Sequence, residues 1–266
     1  MTFHLLRSPL KSLISIILFD SVLFLTLVLK VTTASAYHPL ITDDTGTQGK
    51  GRFQYEFNVE YGYDKEAGIK TEELTVNNTL TYGITDTIDL AIGIPYAYWK
   101  EEDGGSIDED GLSDIELAVK YRFYEAERLR LALKPSITIP SGDSNRGLGT
   151  GRVTGRLFLI VDKEFEDFTL FFNVGYIRNE NKVGERSDLW HISLAGEYKI
   201  KEALKIALNT GVERNPEPDS NTSPAFLLGG LVYSVTEAFD LSAAIKAGLN
   251  KPETDWAGLA GITLRF

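Results

Sequence analysis

Beyond residue 50 the chain alternates apolar and polar positions with a period of two, the mark of β-strands with one greasy face. Odd positions in 51–63 hold Phe53, Tyr55, Phe57, Val59, Tyr61 and Tyr63, while Gln54, Glu56, Asn58 and Glu60 take the even ones. A second segment sets Leu74, Val76, Leu80 and Tyr82 against Glu73, Thr75, Asn77 and Thr79, with Asn78 as its lapse. Ten more follow, at 88–98, 115–123, 129–139, 151–162, 168–176, 190–198, 204–212, 227–233, 239–249 and 256–266. The pattern predicts twelve strands. The segment at 151–162 is the least regular, because Leu157-Phe158-Leu159-Ile160-Val161 is apolar on both faces. Pro95 and Pro135 fall inside predicted strands, where proline removes a ladder donor.

The links between segments carry a second signal. Those at 85–86, 125–127, 164–166, 201–203 and 236–237 are tight, whereas 64–70, 99–111, 141–150, 178–187, 214–223 and 250–255 are long and polar. Short and long links alternate strictly, as in an outer-membrane barrel with short periplasmic turns and longer extracellular loops. Aromatic residues form two groups. Tyr61, Tyr63, Tyr96, Tyr98, Tyr176, Trp190 and Trp256 lie at the predicted outer ends. Tyr82, Tyr121, Phe123, Phe168, Tyr198, Tyr233, Phe239 and Phe266 lie at the inner ends. Such girdles sit at the two interfaces of a membrane barrel. A secreted soluble barrel or sandwich also alternates, but it turns its greasy face inward and its strands average about 5–6 residues. These run to ten or more, near the roughly 9–11 of a tilted membrane strand. The predicted fold class is all-β, a transmembrane antiparallel β-barrel of about twelve strands over 51–266, in the outer membrane of a Gram-negative-type bacterium.

Residues 1–36 have another character. Arg7 and Lys11 precede an apolar run from Leu13 to Leu29, and Ala34-Ser35-Ala36 supplies the small residues of a signal-peptidase site. They read as a signal peptide cleaved after Ala36. An uncleaved membrane anchor is the alternative, and Asp20 within the run argues against it, since charge at the bilayer centre costs about 2.5–3.5 kcal/mol. Residues 37–50 form a polar periplasmic lead-in that can fold into the lumen as a partial plug.

A net charge of −11 and a pI near 4.9 do not suit nucleic acid, which selects clustered Lys and Arg. The absence of cysteine removes disulfides, thiolate metal sites and a cysteine nucleophile. With the greasy face toward lipid, the other face lines a lumen. It carries Glu56, Glu60, Asp114, Glu116, Lys120, Arg122, Lys134, Arg156, His191, Glu197, Lys205, Lys246 and Arg265 as lumen-lining candidates. These charges either salt-bridge a filled interior or set a transverse field across a narrow pore. His191 is the one barrel histidine, and no Gly-x-Ser-x-Gly motif accompanies it, so no catalytic residue is assigned. Residues 100–110 carry six carboxylates and two glycines, a set that Ca²⁺ takes in other contexts, but a solvated loop accounts for them and their spacing fits no calcium loop. The glycine-rich 141–151 lacks the Gly-Lys-Ser/Thr ending of a phosphate loop. No metal, cofactor or catalytic set is called for.

The stretch Tyr37-His38-Pro39-Leu40-Ile41-Thr42-Asp43-Asp44-Thr45-Gly46-Thr47-Gln48-Gly49-Lys50-Gly51, followed by Phe53-Gln54 and Glu56, resembles an outer-membrane transporter family described as "MetA-pathway of phenol degradation". The strand Gly111–Phe123 and Pro140-Ser141-Gly142-Asp143 are similar to that family too. The resemblance implies a channel for small solutes, among them aromatic or hydrophobic compounds of the phenol type. It brings no binding residue to a numbered position. Two other functions stay open: a structural or surface-interaction barrel with a plugged lumen, and a lipid-modifying enzyme using His191. Expected partners are outer-membrane lipids, a small-molecule solute and the barrel-assembly machinery, the last through the C-terminal Phe266.

Overall fold

In a bilayer, where no water can satisfy an open strand edge, a sheet with one greasy face needs every edge paired, and here the sheet closes on itself. The computed structural model describes residues 38–266, so the leader and its cleavage site lie outside them. The strands are β1 (Phe53–Glu66), β2 (Ile69–Gly83), β3 (Ile88–Glu102), β4 (Ser106–Leu112), β5 (Ile115–Ala126), β6 (Leu129–Ile139) and β7 (Thr154–Glu164). They continue as β8 (Phe168–Arg178), β9 (Asp188–Lys201), β10 (Leu204–Glu213), β11 (Ala225–Thr236), β12 (Phe239–Gly248) and β13 (Trp256–Arg265). Each pairs antiparallel with its neighbours, and β1 pairs β13 from Gln54↔Arg265 to Tyr63↔Trp256. The inner half of β3 pairs β5 and its outer half pairs β4, so β4 and β5 share one position and the barrel has twelve staves.

Two predicted loops are strand instead. At 64–70 the ladder of β1 and β2 runs on to Glu66↔Ile69 and turns through Ala67 and Gly68, both at positive φ. At 99–111, β3 and β4 form a hairpin with its bend near Gly104. Above the membrane both faces of a ribbon meet water, so the alternation that betrays a strand elsewhere is lost there. The prolines mark real irregularities. Pro95 sits where β3 exchanges β5 for β4, and its carbonyl accepts from Ser113 N at 2.9 Å. The β5–β6 ladder passes from Ala118↔Ser136 to Tyr121↔Leu133, and Pro135 lies in the gap.

The barrel is greasy outside and polar within. In β9, Trp190, Ile192 and Leu194 are exposed while His191, Ser193 and Ala195 between them are buried. Asn78, the lapse on the outer face, is satisfied there by the Tyr55 hydroxyl, which donates to Asn78 Oδ1 at 2.6 Å. Aromatic pairs clasp both rims. Tyr61 and Tyr63 flank Trp256 at one end, and Phe53 stacks on Phe266 with centroids 5.6 Å apart at the other. Phe53 and Phe266 also exchange backbone hydrogen bonds across the seam. Near that rim Arg265 donates to Asp240, both side chains almost fully enclosed. Removing one partner of such a pair strands a buried charge, a loss of about 3–5 kcal/mol. Asp240→Ala is therefore expected to lower the urea midpoint of the refolded barrel sharply, and Asp240→Asn less so.

Candidate functional site

The lumen is built from the inward positions of every stave, and its charges pair mostly with near neighbours. Glu60 and Glu253 flank Lys246 at 3.1 and 3.3 Å, and Lys205 lies 3.1 Å from Glu197. Arg122 reaches Glu125 and the Asp86 carbonyl at the periplasmic end. His191 Nδ1 lies 3.2 Å from Glu213 and its ring tilts against Phe158, so its partners are a carboxylate and an aromatic ring rather than a serine. Asp114 accepts from Gly142 N, Thr150 N and Thr150 Oγ1 at 2.8–2.9 Å and so pins the 140–153 loop. Glu116 and Arg156 face each other at 4.0 Å. Glu56 is buried in the wall opposite Lys134.

Lys120 and Lys134 meet through a residue that strand reasoning did not select. Residues 38–50 run inside the barrel, and Asp43 lies 2.9 Å from Lys120 and 2.7 Å from Lys134. Those lysines stand on the adjacent strands β5 and β6 where their ladder skips, so one carboxylate serves two cations. The wall meets the rest of this plug group by group. Asn209 Oδ1 accepts from Ile41 N and Thr42 N, and Asn209 Nδ2 donates to Thr42 Oγ1. Asn173 accepts from Asp43 N and donates to its carbonyl. Asp162 takes Thr45 N and Oγ1, and Asp89 takes Gln48 N. At its far end His38 Nδ1 lies 2.6 Å from Ser242 Oγ. An irregular segment has no ladder of its own, so its buried amides need such side-chain acceptors. The fit is close: a Cβ on Gly83 would fall 1.9 Å from the Gly49 carbonyl, and one on Gly261 2.4 Å from His38 Nδ1.

Part of the wall is apolar. Phe226, Leu228, Ala244, Ala257 and Leu259 form a buried inward cluster on β11–β13, with Leu40 of the plug packed on it. Strand parity does not reveal this cluster, because β11 is apolar on both faces over Phe226–Leu228.

Above the plug the lumen opens into two joined spaces. The outer one, about 780 Å³, reaches from the 140–153 and 179–187 loops down to Arg156 and Asn58. The inner one, about 240 Å³, is floored by Leu40, Ile41 and Asp43 of the plug and walled by Glu56 and Lys134. Thr79, Gly93 and Glu116 border both. The acidic 100–110 segment is the β3–β4 hairpin. Its Glu102 pairs with Lys100, Glu109 with Arg146, and Asp110 accepts from Tyr96. Among the described residues no three His, Asp or Glu side chains are grouped to hold a metal.

A closed twelve-stranded barrel, greasy outside and polar within, defines an outer-membrane β-barrel protein. The chain belongs to the family described as "Putative MetA-pathway of phenol degradation", whose pattern it matches over residues 39–266. Among solved structures it is similar to an outer membrane channel from Pseudomonas putida F1. That match has a TM-score of 0.71 at 17% identity and covers 84% of this chain and 98% of that one. It also resembles the Ralstonia pickettii toluene transporter (TM-score 0.52, 10% identity, 84% and 92% covered). A third likeness is to the translocator domain of an autotransporter from Neisseria meningitidis (TM-score 0.52, 12% identity, 82% and 89% covered). At these identities the likeness is one of fold. No curated protein matches the chain.

The plug's charges make two predictions. Burial alone would raise the Asp43 carboxyl, but Lys120 and Lys134 outweigh it and hold it well below the usual carboxylate range. Asp43→Ala leaves both lysines facing one another, and faster hydrogen exchange of the 41–46 amides is expected, with the barrel strands unchanged. Burial lowers His38 to about 4 from 6.5, so the seated plug favours the neutral ring. Its contribution is complete above pH 6.5 and is lost as the pH falls toward 4, amounting to about 3 kcal/mol. Between pH 7 and pH 4.5 the wild type is expected to lose about 3 kcal/mol more urea stability than His38→Gln. The buried Asp44, whose carboxyl burial raises, acts in the opposite sense in both proteins and cancels in that difference.

Proposed function

We propose that this protein is an outer-membrane channel for small solutes, including aromatic or hydrophobic compounds of the phenol type. The observation that carries the reading is the pair of joined spaces leading from the outer loops to the plug. The inner space, at 240 Å³, exceeds the roughly 150 Å³ cavity that takes a benzene ring. The family's description supports an aromatic cargo. The plug supports a second reading, a structural barrel with a sealed lumen. In the channel reading the plug is a constriction that moves. The leader is removed after Ala36 on this proposal, and Phe266 is the mark read by the assembly machinery, in keeping with its place at the seam.

Liposomes holding refolded protein test the two readings with a small sugar, an organic anion and phenol. Flux of phenol above empty liposomes is expected. Flux no greater than in empty liposomes for all three would leave the sealed barrel as the function. Mass spectrometry of protein purified from outer membranes is expected to give a chain beginning at Tyr37.

A further inference from the structure

Charge is distributed unevenly along the passage, and most of it is committed. In the outer space Asp114 is spent on three donors from the 140–153 loop, and Glu185 accepts from Asn179 at 2.9 Å. In the inner space Lys134 is held by Asp43 at 2.7 Å. The loosest pair is Glu116 with Arg156, at 4.0 Å, both side chains more than a third exposed to the passage. Of these two, only Glu116 borders both spaces; Arg156 belongs to the outer one alone. A solute crossing the junction thus passes a carboxylate that no short contact neutralises, after a chamber whose carboxylates outnumber its cations.

We propose that the passage discriminates against organic anions and that Glu116, at the junction of the two spaces, is the residue that does so. The proposal rests on the channel reading and gives it a substrate class: uncharged or cationic aromatic solutes in preference to aromatic carboxylates. The physical ground is Coulombic. A carboxylate solute brought to the junction meets a like charge across a few ångströms, whereas an ammonium or hydroxyl finds an acceptor. Arg156 acts in the opposite sense: it draws part of the Glu116 field to itself and moderates the preference.

Reversal potentials across planar bilayers in a KCl gradient test this directly, alongside liposome flux of benzylammonium, benzyl alcohol and benzoate, three solutes of similar size. The wild type is expected to favour K⁺ over Cl⁻ by about fivefold, the effect of roughly 1 kcal/mol, and to pass benzoate slowest. Glu116→Gln should bring the ratio near one, and Arg156→Gln should raise it above the wild type. Opposite shifts of this kind do not arise from a merely structural role. Glu202→Gln, on an exposed periplasmic turn, should leave the ratio unchanged. Conductance with a ratio unmoved in both Glu116→Gln and Arg156→Gln would overturn this proposal and leave the channel intact. If neither the wild type nor any variant conducts ions or passes the three solutes, this proposal and the channel reading fall together and the sealed barrel stands. Should Glu116→Gln not refold, an unmoved ratio in Arg156→Gln alone overturns the assignment.

Discussion

Lipid offers no hydrogen bonds, so every backbone amide and carbonyl within the membrane has to find its partner in the protein. For strands that demand leaves one solution, closure, and the β1–β13 ladder supplies it. Much else follows from that ladder. Closure fixes which face of each strand meets lipid, the lipid face must be greasy, and the polar residues are driven to the inside. There they meet one another in a confined space, which is why most of the interior is filled with paired charges, the apolar cluster on β11–β13 apart. The plug extends the same logic. Inward carboxylates, amides and ammonium groups that would otherwise face each other, or water, are matched to the amides and the one key carboxylate of residues 38–50.

How much of this could be read from the chain depends on whether a requirement repeats. The staves were legible because lipid imposes the same demand at every second residue, so Phe53 to Tyr63 or Trp190 to Tyr198 declare themselves. Where the demand ends, so does the signal: Asp64-Lys65-Glu66 continue β1 into water, and nothing periodic marks them as strand. The plug has no repeat at all. Asp43 owes its role to Lys120 and Lys134, 77 and 91 residues away, and only the closed barrel brings the three together. The inward charges were legible as a set from strand parity. Their pairing was not, because it depends on the stagger between staves and on breaks such as the one at Pro135. The apolar patch around Leu228 was hidden for the converse reason, since a residue greasy on both faces gives parity nothing to read.

Glu116 and the plug divide the passage between two kinds of control. The junction is lined by fixed strands and acts on a solute by charge. Below it lies a segment held by side-chain hydrogen bonds rather than by a ladder, and such bonds contribute only about 0.5–1.5 kcal/mol each. Selection by rigid wall and passage by yielding floor are thus assigned to different parts of one chain. The strength of the floor rests on the number of its contacts and on the doubly held Asp43.

The root of the plug adds a last point. Gly51 N donates to the Gly83 carbonyl and Phe53 already belongs to β1, so the segment is anchored to the wall it blocks by a few residues. In binding terms it is a ligand that cannot diffuse away: a short tether keeps its local concentration on the order of millimolar at its own site. On the channel reading its departure is therefore always partial and its return needs no partner. A barrel so equipped would reseal after each opening, with no energy source and no second protein to reset it.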